Sequence, residues 1–293
     1  MSTMATATMA ERAAALERFV RRVDEVSSLP DVAARVIQVV NNPETSVADL
    51  RAVVESDASL VARLLRTVNS AAYALRARVD SIHQAISLLG FSTIKNLAIT
   101  ASVSQLFRDK TPIGAYSRPA LWKHMVSVAV AARMIASRCR LSQFDEAYMC
   151  GLLHDLGYIL IDQQQHPKFV QVMESLTPDV ATTEIESQFL GYDHAQVGAA
   201  VGEKWGFPAG VVQAIRHHHD SSRADEQHQK LVRSVEVANF LCSRKGIMST
   251  GVPNLRVPKP EVFAGLALDR DGLKVLIDDL GKELEKANEL MKV

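Results

Sequence analysis

The chain of 293 residues has no long hydrophobic run and no excess of either charge. Its most apolar stretch, 125–136, is interrupted by Arg133 and is shorter than the roughly 20 residues that a helix needs to span a bilayer. Since 33 basic residues balance 33 acidic ones, the whole molecule lacks the field that attracts nucleic acids or membrane surfaces. These absences exclude an integral membrane protein and a generally basic polyanion-binding protein.

Cysteine is scarce and poorly spaced for a structural role. Cys139, Cys150 and Cys242 are an odd number and form no Cys-x-x-Cys pair, which argues against a disulfide framework and a thiolate zinc site. The N-terminus lacks the basic start and sustained apolar core of a signal peptide. We therefore expect a cytoplasmic protein in a reducing compartment.

The alternating pattern of a β-strand is also missing, and apolar residues recur at helical spacing instead. Leu60, Leu64 and Val68 are an example. The pattern predicts an all-α fold of about a dozen short helices. Residues typical of helix starts and ends agree with it. The starts are Ser28 with Pro30, Ser46 and Asp57, and the ends are Asn42 with Pro43, Gly90, and Gly206 with Pro208.

Changes in composition divide the chain into three parts. Residues 1–18 are predicted to form a leader running into the first helix, 19–240 the main helical domain, and 241–293 a loop and a C-terminal amphipathic helix. The apolar face of that helix could dock on the body or join two copies in a homodimer. Its residues are Leu273, Leu276, Ile277, Leu280, Leu284 and Leu290.

The sequence around His154 and Asp155 is the strongest functional signal. This adjacent pair lies within the apolar run 151–157, and burying a bare imidazole and carboxylate is costly unless each has a partner. A metal ion satisfies both at once. His124, His194 and the triplet 217–219 lie in other predicted helical segments, and imidazoles from several helices are how helical proteins build di-metal sites.

Simpler interpretations stand beside this one. The triplet 217–219 is also typical of a helix C-terminus, where imidazolium complements the helix dipole. His83, His166 and His228 are interpreted as surface or locally bonded residues.

Arginine is concentrated in one short region. Between residues 58 and 79 the only charged residues are Arg63, Arg66, Arg76 and Arg78, and the segments 46–56 and 58–69 resemble a helix-turn-helix pair. Apolar residues fill most of the second helix, which leaves a narrow polar face for reading bases. DNA binding is therefore disfavoured. Contact with an acidic partner protein or an anionic nucleotide stays open.

The order of these motifs closely resembles the HDOD domain of bacterial signalling proteins, over about residues 19–240. The residues that carry the resemblance are 28–36, 47–50, 55–60, 64–73, 81–90, 193–198, 203–208 and 214–220.

That family is related to the HD and HD-GYP phosphohydrolases, and the resemblance implies a set of metal ligands. The matching positions are His124, His154, Asp155, His194, His218 and His219, with His217 as an extra neighbour. The ion would be a divalent transition metal such as Fe, Mn, Zn or Ni.

Three departures from the hydrolase pattern indicate that the site is degenerate. Asn239 offers a neutral amide where the last aspartate ligand is expected, and Tyr158 replaces a lysine that would face a substrate phosphate. The Gly-Tyr-Pro signature is absent, because Asp220 is followed by Ser221 and Ser222. We expect a non-enzymatic signalling module with no catalytic residues that acts through a partner protein. The alternatives are a metal-dependent phosphodiesterase for a nucleotide such as cyclic di-GMP and a DNA-binding regulator.

Overall fold

The computed structural model describes residues 8–25, 31–42, 44–70, 73 and 75–292, and within them the fold is all-α. The only β-type pairing in these residues is an isolated antiparallel bridge between Ile113 and Tyr116. The helices are α1 (Met9–Glu25), α2 (Asp31–Asn41), α3 (Val47–Glu55), α4 (Ala58–Val68), α5 (Ile82–Leu89), α6 (Phe91–Val103), α7 (Arg118–Arg138), α8 (Phe144–Leu153), α9 (Leu156–Gln164), α10 (His166–Ser175), α11 (Thr182–Leu190), α12 (His194–Lys204), α13 (Ala209–His217), α14 (Gln229–Arg244), α15 (Pro260–Gly265) and α16 (Arg270–Lys286). Short 3-10 turns are Ser104–Phe107, Ser221–Arg223, Glu226–His228 and Ala287–Met291.

The predicted all-α class is confirmed, but the described helices outnumber the expected dozen. One reason is that the apolar run around His154 and Asp155 is divided between α8 and α9, with the pair at the junction. A second is α15, a short helix that begins at Pro260, where the predicted loop 246–260 ends, and precedes the predicted C-terminal helix. The proline fits there because the first turn of a helix needs no N–H from it.

Local capping explains several helix starts. The Ser46 Oγ accepts from the Asp49 N–H at 3.2 Å while Asp49 Oδ2 accepts from the Ser46 N–H at 2.9 Å, a reciprocal capping box at α3. Asp57 Oδ1 accepts from two backbone N–H groups at the start of α4. The predicted start at Ser28 and Pro30 and the predicted stop at Pro43 lie outside the described residues.

Helix α7 forms the centre of the molecule. Both its tryptophan, Trp122, and its histidine, His124, are fully buried, and most of its length is covered by α8, α14 and α16. The pair α3 and α4 packs on α5 and α6 through Leu60, Leu64 and Val68, which are fully buried. Among the described residues, no helix has both the length and the apolar composition that a membrane span requires.

The C-terminal helix packs against the body of its own chain. Leu276 and Leu280 of α16 are fully buried, and Asp279 pairs with Arg138 of α7 at 2.9 Å. Beyond α16, the Trp122 Nε1–H donates to the Leu290 carbonyl at 2.9 Å. The apolar face of this helix is thus used within the chain.

Candidate metal centre

Five histidines and one aspartate, all among the residues singled out in the sequence, meet in the interior. His124 comes from the middle of α7, His154 and Asp155 from the α8–α9 junction, His194 from the first position of α12, and His218 with His219 from the end of α13. All except His219, which is partly buried, are at most 2% exposed.

We call His124, His154 and Asp155 the inner cluster. The Asp155 Oδ2 atom lies 3.5 Å from His124 Nε2 and 3.2 Å from His154 Nε2. All three side chains are buried, and each offers one donor atom within 4.8 Å of the others.

We call His194, His218 and His219 the outer cluster. His194 Nε2 lies 3.4 Å from His218 Nε2 and 3.0 Å from His219 Nε2. The second oxygen of Asp155, Oδ1, is 3.4 Å from the Nε2 atoms of both His194 and His218. Asp155 therefore contacts both clusters, one with each carboxylate oxygen.

Hydrogen bonds at Nδ1 fix the tautomers of four imidazoles. His124 Nδ1 is 2.7 Å from the Ile247 carbonyl, and His194 Nδ1 is 2.7 Å from Glu186 Oε2. Because these oxygens only accept, Nδ1 carries the proton, and in the neutral ring the Nε2 lone pair points to the centre.

Two of these hydrogen bonds use the ends of helices. His154 Nδ1 donates to the Gly151 carbonyl at 2.7 Å, and His218 Nδ1 donates to the Ile215 carbonyl at 2.8 Å, each three residues earlier. Carbonyls in the last turn of a helix lack a partner within the helix. The ends of α8 and α13 therefore orient a histidine as well as supply it.

The donor set fits divalent metal ions. Two donors that each lie about 2.1 Å from one ion stand about 3.0 to 3.5 Å apart at ordinary bond angles, the range of separations found in both clusters. His124 Nε2 and His154 Nε2 are buried without a hydrogen-bond partner. The lone pairs of these two nitrogens would repel the Asp155 carboxylate unless a cation lay between them. A set of donors rich in imidazole suits Fe, Zn or Ni.

Two glycines allow the helices to approach closely enough to form this centre. A Cβ on Gly151 would lie 2.7 Å from the Val128 carbonyl oxygen, and one on Gly157 would lie 1.9 Å from the His194 carbonyl oxygen. Gly151 thus lets α8 pack on α7, and Gly157 lets α9 pack on the start of α12. Larger residues would separate Asp155 from its histidines.

Burial and neighbouring charges act in opposite directions on the ionisable groups. Burial lowers the pKa of His124 to about 4 and lowers the pKa of His218. For His194 burial also favours the neutral ring, but Glu186 and Asp155 outweigh it and raise the pKa. Burial opposes ionisation of Asp155, yet the surrounding histidines, His154 foremost, hold its pKa well below the usual range.

Sequence reasoning missed Glu186. This residue of α11 is 1% exposed, and its Oε2 accepts from both Nδ1 and the backbone N–H of His194. A carboxylate behind a ligand imidazole orients the ring and increases its basicity. The sequence does not indicate this role, because a glutamate eight residues before His194 on an amphipathic helix is ordinarily exposed.

The outer cluster opens onto a cavity of about 500 Å³. His218 and His219 form part of its wall, the segment 248–257 forms another part, and the side chains of Arg233, Arg256 and Lys259 also line it. The carboxylates of Asp220, Glu236 and Glu261 line the cavity too, so a ligand there would meet groups of both charges beside the outer cluster.

The two substituted positions also line this cavity. The Tyr158 ring stacks on the His194 imidazole with centroids 4.0 Å apart and planes 15° apart, and it is 2% exposed. Asn239 of α14 is partly buried, and its Oδ1 accepts from Ser243 Oγ at 3.4 Å. An aromatic ring and a neutral amide thus stand where a lysine and a carboxylate were expected.

The four arginines of the predicted anion or partner surface differ in environment. Arg66, Arg76 and Arg78 are exposed, and Arg78 pairs with Asp80 at 3.1 Å. Arg63 is partly buried and donates to Ser59 Oγ at 2.6 Å. They lie on and after α4, and none of them lines the cavity beside the outer cluster.

Fold and centre together define an all-α protein with a buried His–Asp cluster suited to metal ions. A family model described as the HDOD domain matches residues 26–221, two thirds of the chain. The chain belongs to the HDOD family.

Three similar proteins extend the comparison. The structure of a "Putative signal transduction protein" from Marinobacter aquaeolei VT8 is 28% identical with a TM-score of 0.80, covering 99% of this chain and 68% of that one. A "Putative phosphohydrolase" from Shewanella amazonensis SB2B is 26% identical with a TM-score of 0.72, covering 94% and 98%. An "Uncharacterized protein" of Treponema pallidum (strain Nichols) is 26% identical over 225 residues, which are 75% of this chain. The match spans 42% of that relative's length.

Proposed function

We propose that this protein is a non-enzymatic, cytoplasmic signal-transduction module that binds divalent transition-metal ions at its His–Asp centre and acts through contacts with a partner protein. The observation that carries the proposal is the make-up of the centre. Its donors fit metal ions, while Tyr158 and Asn239 occupy the positions where the resemblance to hydrolases predicts a phosphate-binding lysine and a further carboxylate.

The charge balance of the centre favours binding over turnover. Asp155 is the one carboxylate in the two clusters, so a pair of divalent ions would keep most of its positive charge. Bound ions would supply Lewis acidity toward an anionic group in the cavity. Without a carboxylate at position 239 or a lysine at 158, the surrounding side chains do less to hold the ions and to orient a phosphate for attack.

A direct connection leads from the inner cluster to the surface. The His124 ring is held by the Ile247 carbonyl, at the start of the segment 247–259. Farther along this segment two large apolar side chains reach the surface, since Leu255 is 47% exposed and Val257 is 71% exposed. Ordering of His124 would stabilise this segment, which supports a role for it in contacting a partner.

Hydrogen exchange tests this coupling. Metal-loaded wild-type protein is expected to show slower amide exchange over 247–259 than metal-free protein, because a fixed His124 ring retains its bond to Ile247. His124→Ala should lose the difference, whereas His83→Ala, an exposed histidine, should keep it. Equal exchange with and without metal in the wild type would contradict the proposed coupling.

A second candidate, a metal-dependent phosphohydrolase, is favoured by two observations. Arg233, Arg256 and Lys259 line the cavity that His218 and His219 share, and such groups pair well with phosphate. Glu186 also supports the His194 ring in the manner of catalytic metal sites.

Turnover separates the two candidates. With Mn or Fe loaded, we expect the wild type to hydrolyse bis(p-nitrophenyl) phosphate and cyclic di-GMP no faster than His154→Ala does. A metal-dependent rate in the wild type that His154→Ala abolishes would establish the hydrolase instead. Metal content measured on the same samples shows whether a missing rate reflects a missing ion.

A further inference from the structure

A second cavity, separate from the metal centre, has the features of a small-molecule site. It has a volume of about 480 Å³, within the range of ligand pockets. Its walls come from α5 and α6, from α7 and α8, and from the C-terminal residues 283–290. Most lining side chains are apolar or aromatic, among them Leu97, Met134 and Phe144.

One buried polar side chain in this cavity makes no hydrogen bond. Asn96 of α6 is 4% exposed, and neither its Nδ2 nor its Oδ1 makes a hydrogen bond. Two nearby hydroxyls are already paired, because Thr100 Oγ1 donates to the Asn96 carbonyl at 2.8 Å and lies 2.9 Å from Tyr148 Oη. Burying an amide without partners is costly, so an Asn here needs a reason.

The charged groups of the cavity are already neutralised. Arg133 pairs with Asp145 at 3.3 Å, and Lys286 pairs with Glu283 at 2.7 Å. A charged ligand would find no free counter-ion among these pairs. The chemistry therefore favours an uncharged ligand.

We infer that this cavity binds an uncharged nucleoside or nucleobase, recognised by the Asn96 amide. A carboxamide presents a donor and an acceptor side by side and pairs with a base edge that offers the complementary groups, as asparagine does with adenine. Tyr73, Phe144 and Tyr148 supply aromatic rings for stacking on a planar base.

Calorimetry of the 293-residue chain with adenosine, guanosine and uridine tests the inference. At least one nucleoside should bind the wild type and bind Asn96→Leu at least about tenfold more weakly, the effect of a lost hydrogen-bond pair in a buried site. If adenosine binds, purine riboside, which lacks the exocyclic amino group, should bind more weakly by a similar factor.

Matched variants locate the binding site. Ser102→Ala, also on α6 but with a hydroxyl already paired to the Ile99 carbonyl, should bind like the wild type. His219→Ala should also retain nucleoside binding, because His219 lines the cavity beside the outer cluster and not this one. Phe144→Ala removes a 38% exposed ring at the cavity, so it should fold normally and weaken binding.

Thermal unfolding tests a second effect of Asn96→Leu, which should weaken nucleoside binding without lowering the melting temperature. Without ligand, Asn96→Leu should melt at or above the wild-type temperature, because the change removes an unpaired buried amide. No nucleoside binding by the wild type, or equal binding by wild type, Asn96→Leu and Phe144→Ala, would overturn the inference. If Asn96→Leu melts at a lower temperature and the wild type binds no nucleoside, the Asn96 amide hydrogen-bonds a buried water instead of a ligand. That result would also overturn the inference.

Discussion

The inner and outer clusters use the same kind of ligand in different surroundings. His124 and His154 are fully buried, and neither lines the cavity beside the centre. His218 and His219 form part of that cavity wall. Asp155 joins the two clusters through its separate oxygens.

The difference indicates a division of roles between the two positions. An ion in the inner cluster would be enclosed by protein and connected to the segment 247–259 through His124. An ion in the outer cluster would face the cavity, where a ligand could complete its coordination. We therefore expect slow metal exchange at the inner cluster and fast exchange at the outer one.

Asp155→Asn should have the largest effect, because it removes the only carboxylate that both clusters share. Metal affinity should fall at both positions by more than the roughly 10- to 100-fold that follows loss of an outer-shell partner. Elemental analysis after dialysis measures the loss. Asp193→Asn is the matched control, since an Asn also caps α12 and the residue precedes His194 without joining either cluster. Full metal content in Asp155→Asn would mean that the carboxylate is no ligand.

His154→Ala and His219→Ala should each remove one ion, and different ones. The ion that remains in His154→Ala should exchange rapidly with added Cd²⁺, because it occupies the outer cluster. The ion that remains in His219→Ala should exchange slowly. Exchange kinetics by elemental analysis distinguish the two, and identical kinetics in both variants would remove the distinction between inner and outer positions.

Glu186→Gln should have the smallest effect. The amide can still accept from His194, but without the negative charge the imidazole is less basic, so outer-cluster affinity should fall by about 10- to 100-fold. Inner-cluster affinity should not change. Glu184→Gln, on the same helix with a side chain 66% exposed, is the control. An equal loss at both clusters would show that Glu186 supports the fold and not one position.

Much of the fold follows from local sequence. Ser46 and Asp57 cap the helices whose starts they predicted, and Gly90 and Gly206 adopt positive φ angles of 85° and 69° between helices. These features depend on neighbours within a few residues, which the sequence displays directly.

The candidate site was only partly predictable. His154 and Asp155 stood out because an ionisable pair inside an apolar run needs a partner, but their position between two helices was not expected. Neither Glu186 nor Asn96 was recognised, since burial on an amphipathic helix depends on what packs against it. The predicted surface of Arg63, Arg66, Arg76 and Arg78 stays a prediction.

By itself, the sequence determined the helical class, several helix boundaries and the residue types available for metal binding. Tertiary structure decided which of those residues meet. The close approaches at Gly151 and Gly157 bring α7 and the start of α12 close to Asp155, and the free carbonyls at the ends of α8 and α13 turn the rings of His154 and His218 inward. The spacing of apolar residues indicates which face of each helix is buried. The distances between helices depend on packing among residues far apart in the chain.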